Sequence, residues 1–194
     1  MGILFLRLGI GAVIGLPFYA ILRFNYLRQK KKTYSIGREA LMCFFVLFMM
    51  GLLVLVLWPG PQAGQSGGYI QQVQERLHTG RGINLVPFHT ISGYFSGSIG
   101  TQFVINIVAN VLMFSPLGFC LPLLWLRFHS WRRMFLIGIV LSTGIETTQL
   151  LVGRSVDIDD VILNAAGVMF GYAVFLLMAG FVPDMRLGKK VESD

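Results

Sequence analysis

GIETTQLLVGRSVDIDDVILNAAGVMFG, residues 144–171, sets a carboxylate and an amide (Glu146, Gln149) in one apolar run and follows them with Arg154, Asp157, Asp159 and Asp160. It then opens a second apolar run carrying Asn164. This order predicts two apolar helices joined by a polar turn. With a helix starting near Asp157, the spacing puts Asp157, Asp160 and Asn164 on one face, continued by Gly167 and Gly171. Glu146 and Gln149 likewise share a face. Acidic residues suit a helix start, where unpaired N–H groups and the helix dipole favour them, so Asp157 and Asp159 can act as caps. Capping does not account for Glu146, which sits inside the apolar run.

The rest of the chain explains what those runs are. Of 194 residues, 55% are hydrophobic and only 13% charged, and the mean hydropathy is +0.69. That is too apolar for an ordinary soluble domain and fits an integral membrane protein. A helix of about 20 apolar residues crosses a core of about 30 Å. The expected fold is an all-α, five-helix transmembrane bundle forming one domain over residues 1–194, with spans near 3–22, 41–58, 103–126, 134–152 and 161–182. The first run lacks the basic start and the small-residue cleavage site of a signal peptide, and its basic cluster follows it, so it is read as a span. Cys43 and Cys120 both lie in apolar runs and suit packing rather than a disulfide or metal knuckle.

Orientation follows from charge. Arg23, Arg28, Lys30, Lys31, Lys32 and Arg38, then Arg127, Arg132 and Arg133, then Arg186, Lys189 and Lys190 fall on one side of the spans, against Arg76, Arg81 and Arg154 on the other. The positive-inside rule puts the amino terminus outside and the carboxyl terminus inside. It also explains the net charge of +7 without nucleic acid. Residues 59–102 then form a long outer loop, in which Ile70, Val73 and Leu77 at helical spacing suggest a short interfacial helix. Asn84-Leu85-Val86-Pro87-Phe88-His89, too short to cross, is expected to lie on or dip into the interface.

Depth gathers the polar residues into a candidate site. At helical rise, Glu146 lies about 9 Å and Asn110 about 10 Å below the outer surface. Asn106, Gln149 and Asn164 come shallower, with Arg154 and the aspartates above. A carboxylate at the centre of a membrane helix costs roughly 2.5–3.5 kcal/mol on insertion scales, so it is expected to face the bundle interior with a polar partner, Asn110 or the Asp160–Asn164 face. Gly138 and Ser142 keep its face small, as Gly167 and Gly171 do in the last span. Pro116 is expected to kink the third span by freeing the carbonyl of Leu112. His89 has no metal-spaced partner, and His78 and His129 are read as surface residues.

Asn84-Leu85-Val86-Pro87-Phe88, then Asn106 and Asn110 leading to Phe114-Ser115-Pro116-Leu117-Gly118, then Glu146-x-x-Gln149, then Arg154-x-x-Asp157-x-x-Asp160-x-x-x-Asn164-x-x-Gly167 resemble the VanZ-like family in type, order and spacing. The resemblance covers roughly residues 80–175. It implies a multi-pass protein of the bacterial plasma membrane, associated with resistance to the glycopeptide teicoplanin. It supplies no biochemical activity and no cofactor.

Two roles from different classes follow. In one, a polar pocket at the outer leaflet binds a cell-envelope lipid or lipid-linked precursor and alters antibiotic access, with Arg154, Asn84, Asn106, Asn110, Gln149 and Asn164 as binding residues. In the other, the protein is a membrane-embedded enzyme acting on such a precursor. Glu146 is then a general acid or base, Arg154 a phosphate or carboxylate clamp, and Asp157 and Asp160 ligands for a hard divalent cation, although no metal motif is present. Recognition is the default, because no nucleophile constellation appears. A transporter is disfavoured, because the polar residues stop in the outer half and no inverted repeat is visible.

Overall fold

A computed structural model of the chain describes residues 36–57, 69–95 and 102–181, with separate helical positions between 9 and 25. It divides into two compact units, Met1–Trp58 with Leu187–Asp194, and Pro59–Arg186.

In the first unit, α1 (Ile36–Leu57) is the second expected span. It begins five residues earlier than hydropathy suggests. Glu39 in its first turn accepts both Nε (2.8 Å) and the nearer terminal nitrogen of Arg23, and the Tyr19 hydroxyl at 3.3 Å. A carboxylate suits the first turn of a helix, and pairing with Arg23 offsets the charge that hydropathy counts against it. Most of the expected first span, 3–22, falls outside the described residues.

The second unit holds α2 (Tyr69–Thr79), β1 (Ile83–Asn84), α3 (His89–Phe95), α4 (Gln102–Leu124), a 3₁₀ turn (Leu126–Phe128), α5 (Trp131–Leu151), β2 (Val156–Asp157) and α6 (Ile158–Phe181). Among the described residues of the whole chain, four helices are long and apolar enough to cross a membrane: Ile36–Val56, Ile107–Leu124, Trp131–Leu151 and Ile158–Phe181. Their outward faces are apolar, as at Leu136, Val140, Leu177 and Phe181. Such a surface is stable against hydrocarbon and not against water.

α6 is the centre of this unit, packing on both α4 and α5 and most extensively on α4. Small residues make that possible. A Cβ on Gly118 would strike the Val168 carbonyl, one on Gly171 the Ser115 carbonyl, and one on Gly167 would lie 2.5 Å from the Val111 oxygen. Backbone touches backbone along this seam, which is how membrane helices gain van der Waals contact without a hydrophobic driving force. Around it Phe114, Leu117, Cys120, Val168, Tyr172 and Phe175 are buried. Gly138 of α5 meets Ala165 of α6 in the same way.

Local chemistry sets the helix ends. Pro116 lies inside α4, and the Ser115 hydroxyl donates to the Leu112 carbonyl that it frees, at 2.9 Å. α5 ends in a Schellman motif on Gly153, whose φ is 79°: Gly153 N donates to Leu150 O at 3.3 Å and Arg154 N to Gln149 O at 2.8 Å. Asp157 precedes α6 as its cap, with Asp159 N donating to Asp157 Oδ1 at 2.9 Å.

The all-α expectation gains one addition. β1 and β2 pair in parallel, Ile83 with Val156 and Asn84 with Asp157, and Val156 N donates to Gly82 O at 2.8 Å. This pairing docks the segment after α2 onto the turn between α5 and α6.

Candidate functional site

The α5–α6 turn carries Arg154 and the aspartates, and the tongue formed by residues 82–95 lies against it. Arg76 of α2 fixes the turn from one side, its guanidinium donating to Arg154 O at 2.8 Å and Gly153 O at 3.0 Å. Those are carbonyls at the end of α5, where cationic donors are favoured.

Asp157 is the hub. Its Oδ1 accepts the Asn84 amide at 3.0 Å, and its Oδ2 accepts the Thr90 hydroxyl at 2.5 Å. The Asn84 amide also reaches Thr90 Oγ1 at 3.1 Å, while Asn84 Oδ1 accepts Val86 N at 3.2 Å in an Asx turn. Asp157 N in turn donates to Glu146 Oε2 at 3.0 Å. Glu146 is therefore an interior carboxylate, 4% exposed, whose donor is a backbone amide from the turn rather than Asn110.

Asp159 does more than help start a helix. It is 1% exposed, and its two oxygens accept Phe88 N at 2.5 Å and Ile91 N at 3.0 Å. It caps the tongue, 68 and 71 residues away in sequence. Phe88 is held at φ 63°, a left-handed conformation costing a non-glycine residue about 1–2 kcal/mol. Hydrogen bonds to a charged acceptor, about 1.5–3 kcal/mol each, offset that strain.

Deeper in the bundle, Asn110 donates to Asp160 Oδ1 at 2.8 Å, joining α4 to α6. Asp160 and Asp157 are close enough to Glu146 to act on it electrostatically, as is Arg154. One turn further, Asn164 donates to Ser142 Oγ at 2.9 Å between α6 and α5. Its own Oδ1 is buried without a protein partner among the described residues.

Thus Glu146, Asp157, Asp160, Asn110 and Asn84 converge, with Arg154 beside them and Asn164 one turn below. Gln149 is half-buried in the last turn of α5 and its side chain joins no hydrogen bond among the described residues. Asn106 lies in α4 one turn before Asn110, with its side chain outside the described part. Asp159, Thr90 and Arg76 complete the arrangement, and none of them was a candidate by motif spacing. No group of three or more His, Cys, Asp or Glu side chains among the described residues is placed to hold a metal ion.

Residues 43–179, more than half of the chain, match the model of the VanZ/LLP1 family. The chain belongs to the VanZ/LLP1 family. No curated protein and no solved structure matches it significantly. In this VanZ/LLP1 member the carboxylates gathered here meet protein donors: three for Asp157, two for Asp159, one for Asp160 and one for Glu146. These bonds join α4 to α6 and the tongue to the start of α6.

Proposed function

We propose that this VanZ/LLP1 protein is a recognition protein of the bacterial plasma membrane, whose site end lies at the outer leaflet, binds a cell-envelope lipid or lipid-linked precursor, and so alters glycopeptide access to the surface. One observation carries the proposal. The tongue fixed by Asp157 and Asp159 presents an apolar tip, Leu85, Val86 and Phe88 at 67%, 61% and 58% exposure, beside a turn bearing Arg154 and near the exposed Arg81. An apolar tip suits the acyl boundary and guanidinium groups suit phosphate or carboxylate headgroups. The amphipathic α2 fits the same interface, with Ile70 and Leu77 exposed. Asp157, both of whose oxygens already accept protein hydrogen bonds, supports recognition over metal ligation at that position, because such oxygens have fewer free lone pairs.

The test is tolerance to teicoplanin in a sensitive host, read together with membrane abundance. Arg154→Ala is expected to lose tolerance at near wild-type abundance. Glu146→Gln is expected to keep it, since the glutamine oxygen can still accept Asp157 N. Asp157→Asn should lose abundance and tolerance together. Loss of tolerance in Glu146→Gln at full abundance would instead favour the membrane-embedded enzyme, with Glu146 as acid or base. Retained tolerance in Arg154→Ala would sink the headgroup role.

Orientation is tested separately, with five spans and the amino terminus outside. Single cysteines at Gly67 and Lys31, in a background lacking Cys43 and Cys120, should label oppositely with an impermeant maleimide on intact cells. Gly67→Cys is expected to react and Lys31→Cys to be protected. The reverse pattern would place the site in the cytoplasm.

A further inference from the structure

The end of the bundle away from the tongue carries a second feature that the proposed function does not use. The turn between α4 and α5 is pinned: His129 Nε2 donates to Pro122 O at 2.7 Å, while Phe128 N and His129 N donate to Trp125 O and Leu126 O at 3.1 and 3.0 Å. On it stand Arg127, Arg132 and Arg133, all exposed. Arg133 donates to the Arg127 carbonyl at 2.6 Å, drawing two of the three together. The guanidinium carbons of Arg127 and Arg132 sit 4.8 and 5.5 Å from the ring centres of Phe128 and Trp131, and Trp131 is 59% exposed.

Nothing in these helices neutralises the three charges. The sequence has no Asp or Glu between Glu75 and Glu146, and none in α6 after Asp160. All carboxylates of α4, α5 and α6 are therefore at the opposite end. Three exposed cations on a hydrogen-bonded turn, paired with no carboxylate among the described residues of this unit and flanked by the exposed Trp131 and the half-buried Phe128, suit an anionic neighbour at a polar–apolar boundary. Because the turn joins two spans, that boundary is the membrane surface.

We propose that this turn is a headgroup site for an anionic phospholipid of the adjacent leaflet, with Arg127, Arg132 and Arg133 on the phosphate and Trp131 and Phe128 against the upper acyl chain. A soluble anion would satisfy the charges but makes no use of the aromatic pair. The site depends neither on the proposed function nor on which way the protein is oriented.

The experiment uses the full chain in phosphatidylcholine nanodiscs doped with phosphatidylglycerol, with retained lipid counted by native mass spectrometry. Wild type is expected to retain phosphatidylglycerol in preference to phosphatidylcholine. Each single Arg→Gln change should weaken retention about fivefold and the triple change about a hundredfold. The triple Arg→Lys variant keeps the charge and should keep the preference, which separates headgroup binding from damage to the fold. Equal retention of both lipids by wild type, unchanged preference in the triple Arg→Gln variant, or its equal loss in the triple Arg→Lys variant would each overturn the proposal.

Discussion

Gly171→Val is expected to destroy the packing of α4 on α6, at a cost of about 3 kcal/mol or more. The added Cβ would meet the Ser115 carbonyl and come within 3.0 Å of Phe119 N. Both are backbone atoms inside a helix, so neither can swing aside as a side chain would. Relief requires the helices to separate, which also withdraws Gly118 and Gly167 from their contacts. Cys120 reports the outcome, being 1% exposed on the same seam. In a Cys43→Ser background, its reaction with a maleimide in detergent should accelerate at least tenfold over the protein with Gly171 intact. Gly144 supplies a control of opposite sign. A Cβ there meets nothing within 4 Å, so Gly144→Ala should leave Cys120 protected and stabilise the helix by about 0.5–1 kcal/mol through reduced backbone entropy in the unfolded chain. Unchanged Cys120 protection in Gly171→Val would show that this close approach does not govern the fold.

That seam was legible in the sequence because small residues at four-residue spacing carry their own periodicity, and Gly138, Ser142, Gly167 and Gly171 do line the helix contacts. The helix starting beside Asp157 and the amphipathic helix at 69–79 were legible for the same reason. Pairings between distant segments were not. The β1–β2 ladder is two residues long on each side, too short for an alternation to show. Asp159 is bonded to backbone N–H groups of Phe88 and Ile91, which every non-proline residue offers, so no residue type at 88 or 91 announces the partnership. The same holds for Glu146, whose partner is a backbone amide. Hydropathy alone placed the start of α1 late, because it scores Glu39 as a lone charge and cannot see Arg23. Equal depth predicted a shared level for Asn110 and Glu146 but not their rotation about the helix axes, and it is rotation that gives Asn110 to Asp160.

The sharpest consequence of the missed partnership is the behaviour of Asp159→Ala. The substitution leaves the N–H groups of Phe88 and Ile91 without their acceptors. Two hydrogen bonds to a charged group, at about 1.5–3 kcal/mol each, then no longer hold a residue strained by about 1–2 kcal/mol. The tongue is expected to release while the helices stay folded, since among the described residues the Asp159 side chain bonds only to backbone N–H groups of the tongue. Amide exchange at Phe88 and Ile91 should accelerate by about a hundredfold or more, at roughly tenfold per 1.4 kcal/mol, with Val168 and Phe175 much less affected. Asp159→Asn is expected to fall between the two proteins. Its carboxamide keeps one acceptor oxygen but turns an N–H donor toward the second backbone N–H. Phe88→Gly in the Asp159→Ala background should recover part of the protection, because glycine adopts φ 63° without a Cβ penalty. Wild-type exchange at Phe88 and Ile91 in Asp159→Ala would mean that the tongue is held by β1–β2 and Asp157 alone. If protection is lost but teicoplanin tolerance in a sensitive host is retained, an ordered apolar tip is not the basis of the proposed recognition.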